Sequence, residues 1–280
     1  MSLDHAAWLA LCRDAARAAE RALTAHPLGD RADQTGARGA GGDRTLQIDA
    51  DAEQAIIDVF AASGRTCTIV SEERGDVDLG APVPRLLIDP IDGSLNAKRG
   101  TAHHAVSIAV ASGGSVGDVE VGYVLDLSTQ QEWWATLGGG AFLDGRRLGP
   151  QPERRSPDGR LELVAIEATD PRHLALALPV LEDEVRRLRA LGAIAVSLCH
   201  LAAGAVDAML TLSNCRPVDA AAAQLLVRET GGLLEWAPGE PLSAVPLDCD
   251  PRTSLVAGRS AETLSAVRAA VAHVTAPVRE

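Results

Sequence analysis

Residues 86–94 read Leu86-Leu87-Ile88-Asp89-Pro90-Ile91-Asp92-Gly93-Ser94, a short apolar strand running into two carboxylates three positions apart. The expected local structure is a buried strand and then a tight turn, with Asp89 and Asp92 at the exit. Two other segments repeat the theme. Ser71-Glu72-Glu73 follows the apolar strand Thr68-Ile69-Val70, and Cys215-Arg216-Pro217-Val218-Asp219 opens an alanine-rich helix that closes on Gly231-Gly232. Carboxylates fixed at strand ends and at a helix start are hard oxygen donors, the ligand type Mg²⁺ prefers. Singly, each has a plainer reading: Asp89 and Asp92 as solvent-facing turn residues, Asp219 as a helix N-cap. Gly93 and Ser94 begin a helical turn through Asn96. Glycine lets the backbone approach a ligand closely, and free N–H groups at a helix start suit a phosphate. Ser94 also reads as a helix N-cap, a role compatible with the first.

The chain has 280 residues, 46% of them hydrophobic, and a net charge of −12. That length supports a large core, as one domain or two lobes, and the alternation of helices and strands argues for α/β or layered α+β architecture. No basic stripe is present to neutralise nucleic-acid phosphates, so no nucleic-acid partner is expected. The same acidity opposes any phosphorylated substrate unless bound cations invert the local charge. The cysteines (Cys12, Cys67, Cys199, Cys215, Cys249) are scattered, and no Cys-x-x-Cys occurs. Neither a zinc site nor a disulfide framework is expected; they read as small buried apolar residues in a reducing compartment. Without a secretion signal or an apolar stretch of spanning length, a cytoplasmic protein with no membrane contact is expected.

Apolar spacing predicts a helix over 3–25, stopped by Pro27, and another over 51–62 that buries Ile56, Ile57 and Phe60 and ends near Gly64. Residues 29–45 are rich in Gly, Asp and Arg and lack a period; they read as a surface linker or a lid. Strands are expected at 104–111, 119–126 and 131–136, with a hairpin at Asp144-Gly145. The break at 149–160 divides the chain into a lobe of residues 1–149 and a lobe of residues 150–280. In the second lobe the pattern gives a strand at 161–167, helices at 172–190 and 197–204, and a strand at 206–212. A helix at 219–230, strands at 233–236 and 253–257 and a last helix at 260–273 follow.

Taken together, three segments resemble the signatures of the inositol monophosphatase superfamily in order and separation. They are Ser71-Glu72-Glu73; Asp89 to Ser94 with Asn96; and Val218-Asp219, four alanines, then Glu229-Thr230-Gly231-Gly232. The resemblance runs from about Asp43 to Gly232. It implies a layered α-β-α-β-α sandwich, a homodimer, and Mg²⁺-dependent hydrolysis of a small phosphorylated polyol or sugar by water, with no phosphoenzyme. By the same resemblance Glu72, Asp89 and the Ile91 carbonyl hold one ion, and Asp89, Asp92 and Asp219 a second, with two or three ions per site. Ser94 stands where the family usually has Thr and would orient the water together with an acid upstream. Asp49, 23 residues before Glu72 and one helical turn from Glu53, fits that register better than Asp51. Asp51 then reads as a first-turn residue favoured by the helix dipole. The catalytic set is therefore Asp49, Glu72 and Ser94. Gly93 and Ser94 would bind phosphate, while Asp92, Gly192, Ala193 and Arg216 would meet the substrate. Glu73 reads as a supporting or surface carboxylate.

Several positions depart from the family pattern. Val218 replaces a Trp, and Ala97 replaces an aromatic. The form Asp-Gly-Ser-x-Asn-Ala, followed by Lys98-Arg99-Gly100, is similar to the archaeal-type branch with dual fructose-1,6-bisphosphatase and inositol monophosphatase activity. Leu212 stands seven residues before Asp219, where inositol-specific members carry a Glu for substrate hydroxyls. Fructose-1,6-bisphosphatase, histidinol-phosphate phosphatase and 3′-phosphoadenosine 5′-phosphate phosphatase are therefore alternatives, as is a non-catalytic metal-binding homologue acting as a regulatory subunit. A haloacid dehalogenase-type mechanism needs Asp-x-Asp, which this spacing does not supply. Arg99, Arg172, Arg189 and Arg216 are candidates for a second phosphate through the guanidinium fork. His103 and His104, as neighbours in a strand, would face opposite sides and share no metal. Trp133-Trp134 reads as one core ring and one surface ring.

Overall fold

Between Ala105 and Ala111 the small side chains Ala105, Ala109 and Ala111 alternate with Val106, Ile108 and Val110, and the two sets join different hydrophobic cores. This period of two, repeated in neighbouring strands, builds a layered molecule. The computed structural model describes residues 3–40, 44–167, 170–237 and 239–275. Asp43, where the family resemblance begins, lies outside them.

Helix α1 (His5–Thr24) leads to a short antiparallel hairpin, β1 (Gln34–Arg38) and β2 (Arg44–Leu46), and then to α2 (Gln47–Ala62). Strands β3 (Thr68–Ser71), β4 (Gly75–Asp78) and β5 (Arg85–Asp92) precede the short helix α3 (Ser94–Arg99). Strands β6 (Ala105–Ala111), β7 (Val119–Asp126), β8 (Glu132–Thr136), β9 (Gly140–Leu143) and β10 (Arg146–Arg147) follow. They complete an eight-stranded sheet of order β10-β9-β8-β7-β6-β5-β3-β4, in which β3 and β5 pair in parallel. Beyond a mostly exposed connection come β11 (Val164–Glu167), α4 (Pro171–Leu181), β12 (Leu188–Arg189) and α5 (Ile194–Ala203). The chain continues through β13 (Ala208–Thr211), α6 (Pro217–Glu229), β14 (Leu233–Trp236), β15 (Leu255–Gly258) and α7 (Ala261–Thr275). The second sheet has the order β12-β11-β13-β15-β14.

Three cores join five layers, one of them filling both interfaces of the middle layer. Trp8, Cys12 and Leu23 of α1 and Ile48, Ile56 and Phe60 of α2 pack on Ile69, Leu86, Ile88, Val106, Ile108 and Val121, one face of the large sheet. Val70, Leu87, Ala109 and Val124, on its other face, meet α5 and α6, which in turn cover Ala165, Met209, Leu255 and Ala257 of the second sheet. The outer face of that sheet packs against α4 and α7. The result is the α-β-α-β-α sandwich expected of the fold class. Close approach in the middle layer depends on small residues: Ala220 to Ala223 are all buried, and a Cβ on Gly122 of β7 would stand 2.3 Å from the Ala222 carbonyl oxygen. Among the described residues, no helix is long and apolar enough to cross a membrane. All five cysteines are buried and free, as the sequence implies.

Three local expectations are corrected. Helix α2 begins at Gln47, not at 51, because its buried stripe contains the acids Asp49 and Glu53 beside Ile48, Ala52 and Ile56, which an apolar period cannot register. Asp49 is thus the first-turn acid, while Asp51 bonds the ring of His26 at 2.8 Å and Gln47 at 2.8 Å. The helix expected over 172–190 stops at Leu181. Glu182-Asp183-Glu184 follow it, and negative charge is unfavourable at the negative end of a helix dipole. Residues 29–45, read as a surface linker or a lid, contain the exposed strand β1, which pairs with β2 and carries no apolar alternation for a sequence pattern to register.

Candidate active site

Strand β5 carries the Asp89 to Asp92 motif within itself. Asp89 pairs with Ser107 and Asp92 with Ala105 of β6, so three steps on one strand oppose two on its partner. The extra residue is a β-bulge, which reverses the alternation and brings to one side two acids that a regular strand would point oppositely. The expected tight turn does not hold the two acids: both stay in the strand, and the turn follows Asp92. Gly93 makes it, at φ 86°, as the residue before α3; Ser94 is the first helical residue, not the cap. A Cβ on Gly93 would lie 2.9 Å from the carbonyl oxygens of both Gly192 and His103. Gly93→Ala should lower the thermal midpoint, with on the order of 1–2 kcal/mol of backbone strain before any clash is counted. A melting curve indistinguishable from the parent's would refute this.

Glu72 lies in the turn after β3. Glu53 of α2 is buried beneath that turn, where its Oε1 accepts the N–H groups of Glu73 and Arg74, both at 3.1 Å. Asp219 is the third residue of α6, which starts at Pro217 with Arg216 as its cap; the expected helix start at Asp219 is corrected accordingly. The two Asp92 oxygens accept the Ile194 and Ala195 N–H groups at 3.0 and 2.8 Å, tying the large sheet to the start of α5.

These elements surround a cavity of about 260 Å³. Of the residues singled out from the sequence, Glu72, Asp89, Ile91, Asp92, Gly93, Ser94, Gly192, Arg216 and Asp219 line it. Asp49 lies behind, 4% exposed and close to Ser94. Ala193 is buried, and its neighbour Ile194 takes the place in the wall. Of the arginine candidates only Arg216 reaches the cavity: Arg172 is held by Asp170 at 2.6 Å, and Arg99 and Arg189 are exposed elsewhere. His103 sits at φ 65°, before β6 begins, so the two histidines are not neighbours in a strand; His103 bonds Asp126 at 3.1 Å. Leu212 is buried in the outer core, away from the wall.

Two contributors were missed. Glu167, at the end of β11, also lines the cavity, and it accepts the Leu191 and Gly192 N–H groups at 2.8 and 2.9 Å and the Ser197 hydroxyl at 2.7 Å. The signal was there: an acid closing an apolar strand, as at Glu72 and Asp89. Asn96 donates to the carbonyls of His103 and Leu191 at 2.8 and 2.7 Å, joining the motif loop to the Gly192 loop.

Electrostatically the cavity crowds more acids together than its one arginine offsets. Burial, reinforced by Glu72, Asp92 and Asp219, holds the Asp89 carboxyl well above the usual range, and Arg216 only partly opposes this. Burial and Asp219 do the same to Asp92, against the two N–H donors from α5. Burial, with Glu73 and Glu72 close by, raises Asp49, whose Oδ1 has no hydrogen-bond partner. Burial pushes Glu73 up to about 7, although Thr45 bonds its carboxylate. Such a set of buried oxygens and one orphaned carboxylate atom suits a hard divalent cation. As placed, no group of three His, Cys, Asp or Glu side chains among the described residues is poised to hold one ion. The Arg216 guanidinium lies between two of the acids.

Comparison with known proteins identifies the class. The model of the inositol monophosphatase family matches residues 6–274, and the chain belongs to that family. It is 34% identical over 236 residues to a fructose-1,6-bisphosphatase/inositol-1-monophosphatase of Methanothermobacter thermautotrophicus, covering 80% of this chain and 82% of that one. The archaeal-type branch, read from the motif form, is supported by this match and a second from Archaeoglobus fulgidus, 28% identical over 91% of this chain and 94% of the relative. The Nus factor SuhB of Escherichia coli is 34% identical over 195 residues, 69% of this chain and 71% of that one. Among solved structures, an inositol monophosphatase–fructose 1,6-bisphosphatase superposes with a TM-score of 0.80 at 24% identity, covering 94% of this chain and 99% of that one.

Proposed function

We propose that the protein is a Mg²⁺-dependent phosphomonoesterase acting on a small phosphorylated polyol or sugar. The observation that carries this is the convergence of Glu72, Asp89, Asp92 and Asp219, from three separate segments, on one cavity beside the Ser94 hydroxyl. Glu72, Asp89, the Ile91 carbonyl, Asp92 and Asp219 would hold the cations. When bound, these would supply a polarised water and offset the charge of the phosphate. The chain's own residues do the rest. Asp49, whose carboxyl burial and the neighbouring Glu73 and Glu72 raise above its ordinary range, stands close to Ser94 as the proposed proton acceptor. The Ser94 hydroxyl donates to the Ile91 carbonyl at 3.0 Å, and its single proton serves one acceptor at a time. Gly93 and Ser94 present backbone N–H groups to a phosphate. Glu167 and Asn96 fix the Gly192 loop, where the substrate's remaining groups would lie.

With Leu212 buried in the outer core, position 212 supplies no carboxylate for inositol hydroxyls. A phosphorylated sugar therefore fits at least as well, in keeping with the dual name of the archaeal relatives. The test is phosphate release from inositol 1-phosphate, fructose 1,6-bisphosphate, histidinol phosphate and 3′-phosphoadenosine 5′-phosphate, with and without Mg²⁺. Release from one of the first two, silent without metal, is the expected result. No release from any ester would favour the second reading, a regulatory homologue, which the SuhB relatives keep in view.

A further inference from the structure

Arg216 is nearly buried, 8% exposed, and its guanidinium spans two of the acids that the proposed function assigns to metal. Nη1 lies 2.7 Å from Glu72 Oε1. Nη2 and Nε lie 2.8 and 3.1 Å from Asp219 Oδ1, and the Arg216 backbone N–H donates to Asp219 Oδ2 at 2.7 Å. Glu72 comes from the large sheet and Asp219 from α6, so one side chain closes the cavity wall between two layers. A guanidinium is a planar, permanent cation whose fork matches carboxylates. It hydrogen-bonds Asp219 and stands as the ion-pair partner of Glu72, so it holds the place beside both acids that a divalent ion would also need.

We propose that Arg216 is a resident counter-cation that competes with divalent metal for Glu72 and Asp219 and so sets the metal affinity of the site. This rests on the phosphatase reading above. The backbone of Arg216 caps α6, so exchange requires only that the side chain rotate away while the helix stays in place. The cavity that Arg216 lines gives it room to do so. The competition is a population effect: metal binds only the fraction of molecules whose guanidinium has left, and the apparent dissociation constant rises in inverse proportion to that fraction. Four buried or nearly buried acids would otherwise face one another with no fixed positive charge among them. The arginine thus keeps the metal-free fold intact at the expense of metal affinity.

Two measurements test this. In the wild-type protein, the Arg216 Nε–H resonance should be protected without metal and should shift in step with Mg²⁺ occupancy. In Arg216→Gln, Mn²⁺ affinity by calorimetry should rise by ~5-fold or more, while the thermal midpoint of the metal-free protein falls. Metal that binds both proteins equally, with the wild-type resonance unmoved at saturation, overturns the competition and leaves the phosphatase reading standing. No metal binding by either protein overturns both. If Arg216→Gln does not fold, the wild-type resonance alone decides.

Discussion

Asp89→Asn should leave a folded protein that is more heat-stable without metal than its parent, yet turns over at least ~100-fold more slowly. Asp89 is 2% exposed, and its Oδ1 accepts the Ile91 N–H at 3.0 Å. Asparagine keeps that acceptor and the side-chain shape. It removes a charge that burial and three neighbouring acids already resist. Relief of an uncompensated buried charge is worth on the order of 1–2 kcal/mol here, which for a chain of this size moves the midpoint by about 2–8 °C. The loss of turnover follows from removing the acid proposed to bridge both cations. Asp92→Asn makes a useful contrast, because both Asp92 oxygens accept N–H groups from α5 and an amide would set a donor against one of them. That variant should lose turnover and stability together. Calorimetry and phosphate release on the two variants check this; an Asp89→Asn enzyme within a few-fold of parental turnover would sink the assignment.

Metal-free protein should lose stability as the pH rises from about 6.5 through 7. The sign follows from the direction of the shifts. Asp49, Asp89, Asp92 and Glu73 all have folded-state values above their unfolded ones. Between those values the folded state holds more protons than the unfolded chain, so stability falls with rising pH. For Glu73 the window runs from its ordinary value of 4.5 to about 7. Buried His104 and His200 are lowered instead and work in the opposite sense below about pH 6.5. The upper window is therefore the clean one. Depressed Asp126 and Glu120 titrate below it and contribute no slope there. Saturating Mg²⁺ should flatten or invert the trend, since ligands must lose protons to bind metal. Midpoints measured across that range with chelator and with Mg²⁺ would show it. A metal-free midpoint that rises with pH would contradict the charge arrangement described here.

The layered fold was readable because buried strands and helices leave different periods, and the three acidic motifs were readable because each interrupts an apolar run. What stayed hidden depends on pairing between distant segments. The bulge between Asp89 and Asp92 exists only against β6, so residues 89–94 looked like a turn. Helix α2 hid its first turn because two of its inward residues are acids. Glu167 had the same local signature as Glu72, yet its importance comes from Leu191 and Gly192, which are 24 and 25 residues away. The sequence assigns Arg216 to the substrate; its partner Asp219 is local, three residues on, but Glu72 becomes a neighbour only when α6 docks on the large sheet.

That docking has a further consequence for how accurately Asp219 is placed. The turn of α6 after Asp219 touches its surroundings through methyl groups, Ala220 to Ala223, and against a glycine in β7. Alanine and glycine have no side-chain torsions to freeze, so ordering this contact costs almost no side-chain entropy. It also leaves no alternative rotamer to let the helix shift. The carboxylate is aimed by main chain against main chain, which can drift less than any interface of longer side chains.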